Sequence, residues 1–345
     1  MPEMREVYDM VTSKAPPRPE ADAWPRLQDR RRRAVTRRRV GAYMLVAALI
    51  VGVLVFSLVS LRPAPTITAT TSGSSAAEIV SSEGNIVSGV PNVPAGAEGL
   101  RLSPDGRTIA FVLNGQVSTI GIHGSGLTTL TSGSNTNEGA EMNAVSWSPD
   151  GTQLVYAWSG DIHVIDANGT NDLAIVGTPG GDYEPAWSPD GTTIVYWHGA
   201  STGLEGGPPN AEIFTVPATG GAPTRLTRAA GGVGSTDPAW SPDGTRIAYA
   251  SRGGLWTMRS DGTAQHFAYS YDSGGGYAPT WSPDGTKLAF LRFDTYTPGA
   301  LQPLYDIRIL DLGSGHAMTL PLKVETDSNA PQWVTNRTLL VNRYG

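Results

Sequence analysis

Short stretches of alternating hydrophobic and polar residues follow a Pro-Asp-Gly turn at several places along the chain. In Pro238–Tyr249 (PAWSPDGTRIAY), Ile247 and Tyr249 fall on one face of the second stretch, while Arg246 and Ala248 fall on the other. Pro presets φ at the first turn position, Asp bonds to its own backbone, and Gly tolerates a left-handed conformation. The pattern therefore predicts a β-hairpin with a tight turn.

The same hairpin pattern recurs. Close copies are Val145–Ala157 (VSWSPDGTQLVYA), Pro185–Trp197 (PAWSPDGTTIVYW), Pro279–Leu291 (PTWSPDGTKLAFL) and Leu100–Val112 (LRLSPDGRTIAFV), the last with Leu in place of Trp. A sixth copy, Pro331–Val341 (PQWVTNRTLLV), has lost the Pro, Asp and Gly of the turn. The residues that we expect to shape the five complete turns are Asp105, Gly106, Asp150, Gly151, Asp190, Gly191, Asp243, Gly244, Asp284 and Gly285.

The spacing of the copies predicts the architecture. The turn Asp residues and the equivalent Asn336 are separated by 45, 40, 53, 41 and 52 residues, a length that suits a four-stranded propeller blade. A weaker third-strand signature follows each of the five complete hairpins but not the sixth. Residues 78–87 (EIVSSEGNIV) fit the missing strands. We therefore predict an all-β, six-bladed propeller whose last blade is closed by N-terminal strands.

The repeated W-S-P-D-G-T motif resembles the TolB-like family of WD-type β-propeller repeats. The resemblance covers roughly residues 77–345. It implies contact with a protein or a cell-envelope component through a propeller face. A fold of this kind hosts many functions, so the resemblance does not identify the partner.

The segment before the repeats predicts a membrane anchor. Gly41–Leu61 (GAYMLVAALIVGVLVFSLVSL) holds 21 residues without a charge, the length of a membrane-spanning helix. We predict a basic cytoplasmic segment at 1–40, a transmembrane helix at 41–61, a Pro/Thr/Ser-rich stalk at 62–77 and the propeller at 78–345. A cleaved signal peptide and a twin-arginine export signal are the weaker alternatives.

The charge distribution predicts the orientation. Residues 1–40 hold 11 Lys and Arg against 6 Asp and Glu, a net of +5, and the remainder holds 14 against 25, a net of −11. Seven arginines lie within Arg30–Arg39, directly before the predicted span. Positive residues stay in the cytoplasm, so we expect the propeller to be extracytoplasmic. We expect this cluster to contact anionic lipid headgroups and not nucleic acid.

Polar residues directly ahead of each first strand define a candidate binding site at the mouth of the central channel. They are Glu98, Asn143, Tyr183, Glu184, Asp237, Tyr277 and Asn329. Tyr is favoured at recognition surfaces. We expect alanine at Tyr277 or Asp237 to weaken partner binding with little effect on stability. Ordinary solvated strand ends are the alternative interpretation.

Catalytic and metal-binding signatures are weak. The chain has no Cys, and its five His residues occupy unlike positions, so we predict no metal site and no cofactor. Residues 199–203 (GASTG) match G-x-S-x-G, but they fall in a loop and not at a strand-to-helix turn. We therefore predict a binding or sensing module and no enzyme. Two alternatives remain: a hydrolase or lyase that uses the channel carboxylates Glu184 and Asp237, and a signal relay to a cytoplasmic regulator through residues 1–39.

Overall fold

The structure of the chain is a computed structural model that describes residues 77–132, 144–199, 210–228, 234–251, 253–271, 276–295, 304–324 and 330–342. The predicted cytoplasmic segment, Gly41–Leu61 and the stalk up to residue 76 lie outside these ranges. Among the described residues, no helix has the length and apolar character to cross a membrane. The membrane anchor therefore stays a prediction.

The described residues form 24 strands. The first twelve are β1 (Ala77–Ser81), β2 (Ile86–Val90), β3 (Glu98–Leu102), β4 (Thr108–Leu113), β5 (Gln116–Gly121), β6 (Thr128–Thr129), β7 (Val145–Trp147), β8 (Gln153–Trp158), β9 (Asp161–Asp166), β10 (Leu173–Gly177), β11 (Asp182–Trp187) and β12 (Thr193–His198). The others are β13 (Glu212–Pro217), β14 (Thr224–Arg225), β15 (Ser235–Trp240), β16 (Arg246–Ser251), β17 (Gly254–Arg259), β18 (His266–Ser270), β19 (Gly276–Trp281), β20 (Lys287–Thr295), β21 (Leu304–Asp311), β22 (Ala317–Val324), β23 (Gln332–Thr335) and β24 (Thr338–Asn342).

The strands assemble into six antiparallel four-stranded sheets, which confirms the predicted propeller. Blades I to V are consecutive: β3–β6, β7–β10, β11–β14, β15–β18 and β19–β22. Their inner strands β3, β7, β11, β15 and β19, with β23, contact one another in sequence, and β23 returns to β3. The six sheets therefore close into a ring around a central channel.

Blade VI contains both ends of the propeller, as predicted. Its order is β2-β1-β24-β23, and β1 pairs with β24 from Ala77 opposite Asn342 to Ser81 opposite Thr338. Ala77 and Val80 are fully buried. The turn between β1 and β2 lies so close to blade V that a Cβ on Gly84, whose φ is +87°, would clash with the ring of Pro321.

The core consists of apolar clusters between adjacent blades. The middle strands of each blade supply most of it, and Tyr156, Tyr196, Tyr249, Phe111 and Phe290 are the largest fully buried side chains. The alternation seen in the sequence places these residues on faces that meet the neighbouring blade. The ring is thus held by packing between blades as well as by hydrogen bonds within them.

Antiparallel pairing gives the ring two different rims. We call the rim with the Ser-Pro-Asp-Gly turns the turn rim, and the opposite rim, where the inner strands begin, the entry rim. The sequence predicts long connections on the entry rim, at 198–210, 228–237, 272–278 and 293–304. The ordered strands extend into these segments, since β15 begins at Ser235, β19 begins at Gly276 and β20 continues to Thr295. Three of these connections are therefore shorter than predicted, whereas the one between β12, which ends at His198, and β13, which begins at Glu212, is as long as predicted. The central residues of all four lie outside the described ranges.

Candidate functional site: the central channel

The central channel contains a cavity of about 290 Å³, and all six blades contribute to its wall. Blade I supplies Arg101, blade III supplies Glu184 and blade IV supplies Asp237. Most of the other lining residues are Ala, Pro and Trp from the inner strands. The cavity thus combines an apolar wall with three ionisable side chains, which is the usual composition of a small-molecule site.

A bulge shapes the inner strand of four blades. The pairing register shifts between Glu98 and Arg101, Tyr183 and Ala186, Thr236 and Ala239, and Tyr277 and Thr280. Four residues within these shifts have positive φ values: Gly99 (61°), Glu184 (50°), Asp237 (54°) and Ala278 (53°). This conformation is uncommon for residues other than Gly, and such strained positions cluster at functional sites. The bulge therefore marks the channel wall as a candidate site.

Glu184 is held by the aromatic pair beside it. Its Oε2 accepts a hydrogen bond of 3.0 Å from the indole N–H of Trp197. The ring of Tyr183 stacks on Trp197, with 4.3 Å between ring centroids. Tyr183 thus supports the partner of Glu184, and it does not line the cavity.

Asp237 connects two blades. Its Oδ1 accepts a hydrogen bond of 2.9 Å from the backbone N–H of Ala278 in blade V, and its Oδ2 accepts one of 2.6 Å from the hydroxyl of Thr236. An alanine at this position would remove an inter-blade hydrogen bond. The expectation that Asp237→Ala leaves stability nearly unchanged is therefore replaced by the expectation of a loss.

Arg101 is the channel residue that the sequence analysis missed. Its Nη1 donates to the carbonyl oxygens of Leu100 (2.9 Å) and Ala330 (3.3 Å), so it joins blade I to blade VI. Burial lowers the pKa of Arg101 to about 10, and the negative charge of Glu184 acts in the opposite direction. The guanidinium stays protonated at neutral pH. The sequence does contain a signal for Arg101. The residue directly before the motif Trp, or before Leu102 in blade I, is charged only in blade I. The other blades have Ser146, Ala186, Ala239, Thr280 and Gln332 at this position.

The motif tryptophans form a discontinuous hydrogen-bonded belt around the channel. The indoles of Trp147, Trp281 and Trp333 each donate to a backbone carbonyl of the preceding blade, over 2.9–3.2 Å. The buried indole N–H groups of Trp187 and Trp240 have no hydrogen-bond partner among the described residues. The belt is therefore interrupted on both sides of blade III.

The seam between blades VI and I uses a different contact. Leu102 stands where the other blades have Trp, so it cannot donate from an indole. The Gln332 side chain instead accepts a hydrogen bond of 2.6 Å from the Leu102 N–H and donates one of 3.4 Å to the Leu102 carbonyl oxygen. This amide bridges the one seam at which the repeat lacks its Trp.

The structure brings only part of the predicted channel-mouth set together. Glu184 and Asp237 line the cavity, whereas Glu98, Tyr183 and Tyr277 do not. Tyr277 packs against the core between blades V and VI, and its ring lies 6.3 Å from that of Tyr305. Truncating it would remove core contacts, so the expected small effect of Tyr277→Ala on stability is also revised. Asn143 and Asn329 lie outside the described residues.

The predicted turn residues have a repeated structural role. In all five complete turns a buried Ser donates its hydroxyl hydrogen to the Asp carboxylate over 2.6–2.7 Å, and that carboxylate also accepts a backbone N–H two residues further on. The five turn glycines have φ between 67° and 73°. In the degenerate sixth copy, Asn336 accepts a hydrogen bond of 3.0 Å from the N–H of Asp284, so it joins blade VI to blade V.

These hydrogen bonds change the acidity of the turn carboxylates. Donation from Ser241 and from the backbone N–H of Thr245 lowers the pKa of Asp243 to about 2. Donation from the Ser282 and Thr286 side chains does the same for Asp284. The pKa values of Asp105, Asp150 and Asp190 are also lowered, in each case chiefly by the turn Ser. The turn carboxylates are therefore engaged in the fold.

A second cluster lies at the entry rim of blade III. The buried carboxylate of Asp182 accepts a hydrogen bond from Thr178 (2.8 Å) and lies 2.9 Å from Nδ1 of His198. Burial raises the pKa of Asp182, although the contacts with Thr178 and His198 oppose the shift. The neighbouring 200–203 part of the G-x-S-x-G match lies outside the described residues. Within the described ranges, no three His, Asp or Glu side chains converge as a metal site.

Comparisons with known proteins agree with this architecture. The family model for the TolB β-propeller domain matches residues 97–254. A TolB-type protein of Agrobacterium tumefaciens has a similar structure, with a TM-score of 0.62 and 20% identity over 79% of this chain and 99% of its own. TolB of Acinetobacter baumannii has a TM-score of 0.50 and 17% identity over 72% of this chain and 64% of its own.

A propeller from a nidogen/laminin complex is also similar, with a TM-score of 0.54 and 12% identity over 71% of this chain and 93% of its own. No curated protein matches the chain by sequence. At these identities the structural likenesses establish the fold alone. The match to the TolB β-propeller domain covers residues 97–254, and the sequence repeats and the ring of six sheets agree with it.

Proposed function

We propose that this chain is a membrane-anchored binding module that presents its propeller outside the cytoplasm and recognises an envelope protein or cell-wall component at the entry rim and channel. The observation that carries this proposal is that the side chains lining the channel differ in charge and polarity from one blade to the next. Two positions of the inner strand differ between blades. The position before the motif Trp is Arg101 in blade I and Ser, Ala, Thr or Gln in the others, and the position two residues earlier is Glu184 in blade III, Asp237 in blade IV and Gly or Ala elsewhere. A position that only maintained the ring would need no such differences.

The contacts of the two carboxylates support binding over acid–base catalysis. Glu184 accepts the Trp197 indole N–H, and Asp237 accepts both a backbone N–H and a hydroxyl hydrogen. Hydrogen bonds donated to a carboxylate favour its charged form and fix its orientation. Such groups are suited to hold a ligand and less suited to exchange protons with it.

Protein binding is an established use of this kind of scaffold. The similar propeller in the nidogen/laminin structure belongs to a complex between two proteins. The TolB-like family and the sequence of residues 1–76 support a place in the cell envelope. In this proposal Gly41–Leu61 anchors the chain, and the arginines of Arg30–Arg39 contact anionic lipid on the cytoplasmic side.

Site-specific photocrosslinking in the native cells tests which rim recognises the partner. A photoreactive residue at Glu98, on the entry rim, should give a discrete crosslinked species. The matched control places the same residue at Asp261, which is exposed in a turn on the turn rim. Crosslinks from position 261 with none from position 98 would contradict the assignment of the binding face.

Protease treatment of intact cells or spheroplasts tests the predicted topology. The propeller should be digested or released, while a tag at Met1 stays protected. Neutral residues at all seven arginines of Arg30–Arg39 should randomise the orientation. The opposite protection pattern would refute the membrane arrangement without affecting the channel argument.

A further inference from the structure

We infer that the channel cavity binds a small zwitterion, such as a short peptide with free termini, with the ligand carboxylate on Arg101 and its ammonium group beside Glu184 and Asp237. The inference rests on the proposed function and defines the ligand chemistry of the same site. It follows from the arrangement of charge, from the hydrogen bonds of the charged groups and from the size of the cavity.

The charges in the wall lie on different sides of the ring. Arg101 belongs to blade I, and Asp237 belongs to blade IV, which is opposite in a ring of six. Glu184 belongs to blade III, next to blade IV. The positive group and the two negative groups therefore belong to different sectors of the ring, and the charge of Glu184 acts on Arg101. A ligand with one charge of each sign at its two ends matches this arrangement.

Arg101 has the geometry of a carboxylate anchor. Only its Nη1 makes hydrogen bonds to the described residues, and both acceptors are backbone carbonyls. It forms no ion pair with a carboxylate in the described part of the chain. The two carbonyls fix the guanidinium at the junction of blades I and VI, and its other N–H groups remain for an acceptor in the channel. A fixed guanidinium binds carboxylates well because its planar donors match the two oxygens.

Glu184 and Asp237 suit the positive end of the ligand. Glu184 accepts a hydrogen bond from Trp197, and Asp237 accepts hydrogen bonds from Thr236 and Ala278, so both are held as charged carboxylates in the cavity wall. Both side chains are only partly buried. With Arg101 these groups give the cavity a net charge of −1, which disfavours ligands that carry only negative charge.

The cavity is also small. Its volume of about 290 Å³ lies at the lower end for small-molecule pockets, and its other walls include Pro185, Pro238 and Trp281. These apolar surfaces suit a short aliphatic body between the two charged ends. A dipeptide of small residues is therefore an appropriate probe.

Calorimetric titration of the full-length chain in detergent tests the inference with three matched probes. They are alanylalanine, its N-acetyl derivative and its C-terminal amide. We expect alanylalanine to bind about tenfold or more tightly than either blocked form, because each blocked form loses one charge-assisted contact. Equal binding of all three, or no binding of alanylalanine at millimolar concentration, would overturn the inference. Preferential binding of the amide would overturn it in favour of a cation site.

Substitutions of the charged wall residues test which residue contacts each end of the dipeptide. Arg101→Gln should remove the difference between the dipeptide and its amide, and Glu184→Gln should reduce the difference between the dipeptide and its N-acetyl form. Arg107→Gln, at an exposed position on the turn rim, makes the same charge change away from the cavity and should alter neither. The melting temperature of each variant shows whether it folds. If Arg101→Gln unfolds the protein, Arg101→Lys serves instead and should weaken only the dipeptide and its N-acetyl form.

The calorimetry and the crosslinking together distinguish failure of the zwitterion site from failure of the proposed function. A partner crosslinked from position 98, with no dipeptide binding, refutes the zwitterion site alone. Dipeptide binding with no crosslinked species refutes recognition of a macromolecular partner and leaves the zwitterion site in place.

Discussion

The turn rim and the channel wall come from the same inner strands, but they differ in how much the blades resemble one another. Five turns repeat one set of hydrogen bonds, from Ser to Asp and from Asp to the backbone. A few residues earlier, the wall positions hold Arg in one blade and Ala in another. Residues that recur in every blade therefore maintain the ring, and residues that occur once are the candidates for recognition.

The largest expected effect comes from removing the strands that hold both regions in one ring. Deletion of residues 77–90 removes β1 and β2, with the buried side chains of Ala77, Val80 and Val90. We expect the propeller to melt about 10 °C lower or more, or to aggregate through the exposed edge of β24. Deletion of residues 62–70, in the predicted stalk, is the control. A melting temperature shared by both variants would show that the ring does not need its N-terminal strands.

A turn-rim substitution should change stability and leave binding intact. Asp243→Ala removes the acceptor for the Ser241 hydroxyl and for the Thr245 N–H. We expect a loss of about 1–2 kcal/mol in the free energy of unfolding, measured by urea denaturation. Asp261→Ala is the matched control, because Asp261 bonds to Thr263 but accepts no hydrogen bond from a buried Ser. A clear loss of partner crosslinking in folded Asp243→Ala would place recognition on the turn rim.

Channel-wall substitutions should show the reverse pattern. Asp237→Asn retains an oxygen for the Ala278 N–H, and Glu184→Gln retains one for the Trp197 indole, so both variants should melt close to the parent. We expect partner affinity to fall about tenfold, since each variant loses a partly buried charge. Quantitative crosslinking from position 98 checks this expectation. Unchanged crosslinking in both variants would mean that the wall charges do not contact the partner.

The smallest expected effect is a pH dependence that comes from the turn rim alone. Asp243 and Asp284 have folded-state pKa values of about 2, below the value of about 3.9 for an unfolded chain. Their stabilisation is therefore complete above pH ~4 and is lost as the pH falls from about 4 to about 2. The Asp243→Asn, Asp284→Asn double variant should lose less stability than the parent between pH 5 and pH 2 in urea titrations. If the free energy of unfolding changed equally with pH in the parent and in the double variant, these carboxylates would not determine the stability at acid pH.

The sequence predicts the ring and its turns because their determinants are local. The Asp, Gly and Ser that shape each turn lie within a few residues, and a repeat reports the same geometry five times. The closing strands were predictable because the sixth repeat lacked its third and fourth strands. Both features depend on spacing along the chain, which is visible without a structure.

The channel site was only partly predictable for the opposite reason. Residues before Pro favour extended conformations, yet Glu184 and Asp237 precede Pro and adopt positive φ. The resulting bulge changes which side chains of the inner strand face the channel, as bulges do. Arg101 therefore lies in the wall, and Tyr277 lies in the core. The indoles of Trp187 and Trp240 have no hydrogen-bond partner in the described part of the chain, which no local pattern in the sequence indicates.

The pairing of β1 with β24 also constrains how the protein is made. Ala77 and Asn342 are partners although almost the whole propeller separates them along the chain. Chains fold from the N-terminus as they are synthesised, but β1 cannot find its neighbour until the last residues have emerged. Until then the two early strands and the open edges of blades I and V are exposed. We therefore expect ring closure to be the slow step of folding, and an incomplete chain to depend on chaperones until β24 is available.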